Sequence, residues 1–509
     1  MIDFKTIMGL KRIVSPIRHN WIQKYTYSIK FSDTVMKVMS NYKSTQIKNV
    51  CVLEKITKFD LEVQNGLTPE QVYNSFPLAY KTHITHKKIM ESLIRHLIDV
   101  YKLDIQVIKA QSKGVLPFGV QGNKYRYRPD LVISAGGDGT FLEASSLIPP
   151  GQLTDTPIWL VGLNTDPERS LGNLCMSYYG PKIQHHLNCG FEDDVKNQTK
   201  LNENCLKTHT DKDLDDFCSF IYYRGDEKKI CLKSPDNITE EDRNSKENKV
   251  ITYDQYVNTL LDNLLNFRLH PIPRQRLRLK LFKRKFMRND TLDTTTANKE
   301  DLDSNKIENT LVTEKNSTFE EQDLEKANDT DSKFYTFPHG VLNDVMIADK
   351  DFGKTFYAIV QIDDKPLKRI KSSGVLITTG TGSTAWAYNV SKMNFFEGTR
   401  LIKCLLENPM VDKSLSETIN DDVIRQSIET FNQKLKMDPS GTVMRCLIRE
   451  PISNKTTECR SFYNCHRIKV VPLSKNSQIC VDGSKTLKLD YGDIVVLKSF
   501  ESDLIWSFI

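Results

Sequence analysis

Residues 48–57, KNVCVLEKIT, run apolar with alternating polar positions and predict a buried strand. In THKKIMESLIRHLIDVYKL (85–103), Ile89, Leu93, Leu97 and Val100 recur at helical spacing and line one face. DIQVIKA (104–110) predicts a second strand, LVISA (131–135) a third and PIWLVGLN (157–164) a fourth, with a helix over FLEASSLI (141–148). Strands alternating with helices predict a parallel α/β sheet over 48–188, with ligands at the carboxyl ends of its strands.

Beyond it the pattern changes. Residues 189–250 form a charge-dense polar insertion, and 251–286 give a helix and the first strand of a second domain. The helix (252–269) carries Tyr256, Leu260, Leu264 and Phe267 on one face; the strand, RQRLRLKLFKRKF (274–286), alternates basic and apolar side chains, so its basic face is expected to be solvated or turned to an anion. Residues 287–332 are rich in Asp, Glu, Thr and Asn and nearly free of aromatics, which predicts a disordered insertion. Short apolar runs follow, VLNDVMIA, FYAIVQIDD, GVLITTG, RIKVVPL, QICVDG and DIVVLKSF, and predict a β-rich domain over 333–500, interrupted by a helix at 420–435. Residues 501–509 read as a C-terminal tail.

Composition narrows the function. The net charge of +6 is spread over many charges of both signs, too weak a field to argue for nucleic acid. No run of 18 or more apolar residues argues for a membrane span. Eleven scattered cysteines without a CxxC pair read as free thiols in a reducing compartment, with no structural metal expected. At the start, Lys5, Lys11, Arg12 and Arg18 face only Asp3, while Ile7, Leu10, Val14 and Ile17 fall on one helical face. That pattern reads as a mitochondrial transit peptide over 1–47, with a disordered basic tail or a first helix as alternatives.

Three motifs carry candidate chemistry. GGDGT follows a predicted strand and opens a predicted helix. Gly136, Gly137 and Gly139 can take positive φ and let main-chain N–H groups approach phosphate, and the helix start after Thr140 adds partial positive charge. Asp138 would then stand where a polyphosphate meets a substrate hydroxyl, able to meet Mg²⁺ or to accept a proton. A purely structural tight turn would use the same glycines. KSSGVLITTGTGSTAWAYN (371–389) presents hydroxyls and main-chain amides from Thr378 to Thr384, with Trp386 nearby; a plain turn is its alternative. In VLNDVMI, Asn343 and Asp344 interrupt an apolar run, either as a bulge or as donor and acceptor for a ribose diol.

Together, in this order, these motifs resemble the NAD kinase family, from about residue 48 to 500. GLNTDPERS (162–170), KSSGVLITTGTGSTAW (371–386), IREPISN (448–454) and CVDGSK (480–485) are similar to its mitochondrial branch. The resemblance implies an N-terminal Rossmann-like parallel α/β domain plus a C-terminal β-sandwich-like domain, with NAD between them, in a homo-oligomer with a dimer favoured and a place in the mitochondrial matrix. It implies ATP-dependent phosphorylation of the adenosine 2′-hydroxyl of NAD, with Mg²⁺ carried by ATP and no partner nucleic acid or membrane. Asp138 would be the general base; Gly136, Gly137, Gly139 and Thr140 would cradle phosphate; Asn343, Asp344, Thr381, Ser383, Thr384, Ala385 and Trp386 would bind NAD. Several positions depart from the common family pattern. Gly380 stands at a proline position, Trp386 at a tyrosine, Asp344 at a glutamate, and Ser373 where a carboxylate is usual.

Two other classes share parts of the pattern. A lipid kinase also uses GGDGT but needs an apolar pocket, whereas 378–386 and Asn343–Asp344 are polar. A non-catalytic NAD-binding regulator would tolerate loss of Asp138, which this chain retains.

Overall fold

The computed structural model describes residues 46–110, 128–149, 157–170, 229–244, 248–269, 271–283, 340–408, 419–452 and 462–508, with short stretches at 37–38, 120–121, 124–125, 172–176, 178–179, 334–337 and at 410. The expected leader (1–47) falls outside them apart from 37–38 and 46–47, as does the whole insertion expected at 287–332. Of the polar insertion at 189–250, two strands are described, Lys229–Lys233 and Asn248–Thr252, paired in parallel.

The first body is a mostly parallel sheet. Strand β1 (Asn49–Glu54) is followed by helix α1 (Pro77–Arg95), β2 (Asp104–Lys109), β3 (Leu131–Gly136), helix α2 (Asp138–Leu147) and β4 (Trp159–Asn164). Helix α3 (Tyr253–Leu265) then leads to β5 (Pro271–Arg274). Every residue of β3 and β4 is buried, because both faces of the sheet are covered. Val50, Val52, Ile133, Ala135, Val161 and Leu163 pack with α1 and α3, while Cys51, Leu53, Val132 and Leu160 pack with Phe141, Ala144 and Ile148 at α2. Helix α1 starts at Pro77, eight residues before the expected boundary at Thr85; proline at the first helical position is preset for it. Helices at Lys58–Gln64 and Pro69–Ser75, absent from the periodicity reading, are each closed by a capping box, Thr57 with Asp60 and Thr68 with Gln71.

The second body is a sandwich of two antiparallel sheets. Its strands are β6 (Leu277–Phe282), β7 (Asp344–Asp349), β8 (Phe356–Ile362), β9 (Lys368–Ser372) and β10 (Gly374–Thr378). Three helices follow, α4 (Trp386–Ser391), α5 (Phe395–Leu406) and α6 (Asp421–Gln433). The chain continues with β11 (Met444–Arg449), β12 (Phe462–Cys465), β13 (Arg467–Pro472), β14 (Ser477–Val481), β15 (Lys485–Leu489) and β16 (Ile494–Ser499), and ends on β17 (Ile505–Phe508). One sheet runs Phe334–Thr336, β6, β16, β13, β8, β9; the other β12, β11, β10, β7, β14, β15. Alternate residues of both sheets, among them Leu279, Val345, Ile347, Ala358, Ile377, Cys446, Val470 and Leu497, fill one shared core. The fold class is therefore the expected one, a mostly parallel α/β sheet followed by a β-sandwich.

The two bodies are interleaved in the chain. β5 and β17 belong to the first sheet, whose order is β2, β1, β3, β4, β17, β5. The run expected as a C-terminal tail thus returns across the sandwich and lies parallel to β4, with Trp506 opposite Trp159. Trp159 stacks on Phe508 at 4.7 Å between ring centres and meets Trp506 at 5.7 Å. A four-residue apolar run at a chain end carries no periodicity that separates a tail from a central strand.

The basic strand expected at 274–286 also divides, with Pro271–Arg274 in the first sheet and Leu277–Phe282 in the sandwich. At the joint Arg274, Gln275 and Arg276 are buried, not solvated. Arg276 is fully enclosed. Its guanidinium donates to the carbonyls of Ser145 (2.8 Å), Ile148 (2.6 Å), Pro149 (3.1 Å) and Asp503 (2.9 Å). A cation from the sandwich thereby closes the C-terminal end of α2, where orphan carbonyls and the helix dipole favour positive charge.

Candidate functional site

β3 ends at Gly136, and α2 begins at Asp138 with Gly137 as its cap residue. The expected positive φ is not used: none of Gly136, Gly137 and Gly139 lies in the left-handed region. The reason for glycine is space. A Cβ on Gly136 would stand 2.2 Å from Thr140 Oγ1, so Thr140 folds back over the strand end; at Gly139 a Cβ would meet nothing within 4 Å. The open side of the turn is therefore the side of Gly139, where the N–H groups of Asp138 and Gly139 have no carbonyl four residues back, while Thr140 N–H donates to Gly137 O at 3.1 Å. The Asp138 carboxylate is held from behind. Oδ1 accepts from Leu174 N–H at 2.8 Å and Oδ2 from Asn173 N–H at 3.2 Å. A carboxylate has about four acceptor sites, so each oxygen keeps one for a further donor.

Lys55 follows β1 and was not singled out by the motifs. Its N–H donates to Ala135 O at 3.1 Å, and its Cβ lies 3.1 Å from where a Cβ on Gly136 would stand. Burial draws its ammonium below the ordinary lysine range, opposed by the Asp166 carboxylate.

The Asn343–Asp344 turn opens β7. Leu342, just before it, is buried in the same cluster as Phe141, Ala144 and Ile148 of the α2 region. The turn at 378–384 packs on its other side. Thr379 Oγ1 donates to Leu342 O at 2.5 Å, and Thr378 Oγ1 and Thr379 N–H donate to Asn343 O at 3.2 and 3.0 Å. A Cβ on Gly382 would stand 2.2 Å from Asn343 O, and one on Gly380 1.8 Å from Asp438 O, which leaves no room for a proline ring at 380. The three motifs thus converge through one segment, Leu342–Asp344.

Their side chains divide in use. The Asn343 Oδ1 is buried with no partner among the described residues. Asp344 is buried, and its carboxyl is pushed up to about 7 by burial and then by the nearby Asp482 carboxylate. Ser383 and Thr384, by contrast, spend their hydroxyls on the turn: Ser383 Oγ donates to Gly380 O at 2.6 Å and accepts from Met437 N–H at 2.8 Å, and Thr384 Oγ1 donates to Thr381 O at 3.0 Å. Thr381 is buried, with Arg274 Nη1 3.4 Å from its hydroxyl. Ala385 caps α4, and Trp386 packs with Met346, Ala348 and Leu376 on the outer face of the sandwich, under the Arg449 guanidinium at 5.7 Å. Ser373 hydrogen-bonds Glu450, so a carboxylate from the end of β11 stands beside the serine.

Two further residues organise the site. Asp482 accepts from the N–H groups of Leu342 (3.1 Å), Asn343 (2.7 Å) and Asp344 (3.2 Å). Burial pushes its carboxyl up to about 6, against those three N–H groups and Lys485, which hold it down. Lys485 reaches Ser146 Oγ in the last turn of α2 at 2.8 Å. CVDGSK was visible in the chain, but nothing in its pattern reveals that Asp482 faces 342–344. Among the described residues no group of three or more His, Cys, Asp or Glu side chains could hold a metal ion, and no helix is long and apolar enough to cross a membrane.

No family model matches the chain. The mitochondrial NAD kinase 2 of Xenopus tropicalis is 24% identical over 487 residues, covering 90% of this chain and 89% of the relative. The chain is a homologue of the NAD kinases. The human mitochondrial NAD kinase 2 is 23% identical over 469 residues, covering 89% of this chain and 82% of its own length. At this level of identity the relation is to the NAD kinases broadly. A crystal structure of a yeast NADH kinase complexed with NADH covers 91% of this chain and 84% of that one at 12% identity, with a TM-score of 0.43.

Proposed function

We propose that the protein transfers the γ-phosphoryl group of ATP to the adenosine 2′-hydroxyl of NAD, giving NADP and ADP. The observation that carries the reading is the convergence of GGDGT, Asn343–Asp344 and the 378–384 turn on the Leu342–Asp344 segment. Near full-length similarity to NAD kinases supports it.

In this reading Asp138 is the general base. The amides of Asn173 and Leu174 orient its carboxylate, and a free acceptor site on it takes the proton of the 2′-hydroxyl. The alkoxide oxygen forms its bond to the γ-phosphorus as the bond to the bridging oxygen of ADP breaks, and the proton later passes to solvent. The first-turn N–H groups of α2 and the Lys55 ammonium supply positive charge beside the phosphates. Mg²⁺ arrives with ATP and, when bound, neutralises phosphate charge; Asp138 is the acid of this set suited to meet it. The Asn343 side chain, whose Oδ1 has no partner among the described residues, and the Asp344 carboxyl take adenine and ribose, with main-chain groups of 381–385 and the Trp386 ring lining the dinucleotide. We assign the chain to the mitochondrial matrix and to a homodimer on the same resemblance.

The test is formation of NADP from NAD, ATP and Mg²⁺ by the purified chain. Phosphorylation of a lipid in place of NAD, or NAD binding without turnover, would reject the assignment in favour of the two competing classes.

A further inference from the structure

The segment Leu342–Asp344 is clamped on both of its main-chain edges. Its carbonyls are held by Thr378 and Thr379, and its N–H groups by the single carboxylate of Asp482. Asp482 sits in the three-residue connection between β14 and β15, where Val481 pairs with Lys485. It adopts φ +47° and is followed by Gly483 at φ +67°. A non-glycine residue in the left-handed region is disfavoured, and aspartate is among the few that visit it. The conformation turns the Asp482 side chain back onto 342–344, while its own N–H donates to Asp344 O at 2.9 Å.

Three residues on, Lys485 points the other way. Its ammonium donates to Ser146 Oγ at 2.8 Å, and Ser146 Oγ donates in turn to Glu143 O at 2.7 Å in α2. Burial draws the Lys485 ammonium below its ordinary range, opposed by Asp482 and Glu143, so it stays beside anionic or carbonyl groups when charged. Its contact is to the C-terminal turn of the same ten-residue helix that begins at Asp138. A helix of that length is a rod of about 15 Å, and a shift at one end is carried to the other.

We propose that Asp482 and Lys485 are the positioning residues of the site. They fix the register between the acceptor-side pair Asn343–Asp344 and the helix that presents Asp138. The inference rests on the proposed reaction and deepens it. Neither side chain needs to touch the reacting atoms: Asp482 sets where the nucleoside is held, and Lys485 sets where the base stands relative to it. Removing the first should therefore show as weaker NAD binding. Removing the second should show as slower turnover at unchanged affinity, since a displacement of about 1 Å between base and hydroxyl lowers rate by roughly a hundredfold.

The test uses the full chain and the variants Asp482→Asn, Lys485→Met, Lys485→Arg, Ser146→Ala and the Lys485→Met/Ser146→Ala pair. It reads kcat, the KM for NAD and for ATP, NAD affinity by calorimetry, and the melting temperature. Asp482→Asn puts an NH₂ group against main-chain donors and is expected to raise the KM and Kd for NAD at least about tenfold, leaving the ATP KM within about twofold. Lys485→Met is expected to lower kcat by roughly ten- to a hundredfold with both KM values within about threefold, Lys485→Arg to restore most of it, and Ser146→Ala to add nothing to Lys485→Met. Losses spread equally over NAD and ATP parameters, or folded variants with unchanged kinetics, would overturn the proposal. Lys485→Met keeps the test open if Asp482→Asn fails to fold. A wild-type chain that binds NAD without phosphorylating it rejects the reaction alone, and the calorimetric arm still judges Asp482; a chain that does neither rejects both.

Discussion

Asp344 and Asp482 hold each other through the main chain while their carboxyl groups repel. Asp344 N–H donates to Asp482 Oδ1 at 3.2 Å, and Asp482 N–H donates to Asp344 O at 2.9 Å. The folded chain keeps both acids protonated to unusually high pH, Asp344 to about 7 and Asp482 to about 6, where the ordinary value is 3.8. The facing charges, Lys485 and Arg276, lie on the Asp482 side. Between about pH 4 and 7 the folded state therefore binds more protons than the unfolded state, and stability falls as pH rises through that window. We expect the melting temperature of the ligand-free chain to drop between about pH 4 and 7, and Asp344→Asn to reduce that slope, most completely above about pH 6. An unaltered slope in the variant would show that Asp344 does not titrate between its unfolded and folded values in the native chain.

Asp138→Asn keeps the shape of the side chain but removes its capacity to take a proton. Turnover should fall by a factor of roughly 10²–10⁴ with a much smaller change in NAD affinity. Steady-state kinetics at saturating ATP checks this, and wild-type turnover would remove Asp138 from the chemistry.

Gly382→Ala places a methyl group 2.2 Å from Asn343 O, at a carbonyl already held by Thr378 and Thr379. The turn or the Asn343 segment must move, destabilising the fold by about 1–3 kcal/mol. NAD affinity should drop more than ATP affinity, which calorimetry with each nucleotide resolves.

Arg276→Met leaves the carbonyls of Ser145, Ile148, Pro149 and Asp503 without their donor inside a closed core. The expected loss is roughly 3–5 kcal/mol, read as a lower denaturant midpoint. A loss below about 1 kcal/mol would mean that water or the apolar side chain replaces the guanidinium without strain.

Trp506→Ala empties a fully buried position beside Trp159 on an interior strand of the first sheet. About 3–5 kcal/mol of stability should be lost, with the first body affected although the substitution lies three residues from the last residue, Ile509. Hydrogen exchange at β4 would rise with it; protection unchanged there would place Trp506 outside the cooperative core.

The strands β1 to β4 and the helices α1 and α2 were legible because a covered parallel sheet demands continuous apolar runs and its helices a 3.6-residue stripe. The same rule made the sandwich strands at 344–362, 374–378, 467–481 and 494–499 readable as short β segments, and GGDGT readable as a strand–helix turn. It missed α5, whose one buried residue is Gly398 and whose apolar Phe396, Leu401 and Leu405 lie exposed. It also placed Arg276 on a solvated face. Arginine reads as exposed unless carbonyls are known to surround it, and those carbonyls come from 127 or more residues away in the chain.

The chain by itself determined most of the strands and the helices α1, α2, α3 and α6, and it named the acids and glycines of the three motifs, since local periodicity and turn chemistry depend only on near neighbours. Tertiary structure alone decided that Ile505–Phe508 completes the first sheet, that the hydroxyls of Ser383 and Thr384 are spent inside their own turn, and that Asp482 and Lys485 tie 342–344 to α2. Each of those outcomes rests on contacts whose partners are set by packing: a hydrogen bond or a buried ring belongs to whichever donor, acceptor or apolar face the folded chain brings within about 3–4 Å, and sequence spacing does not encode that distance.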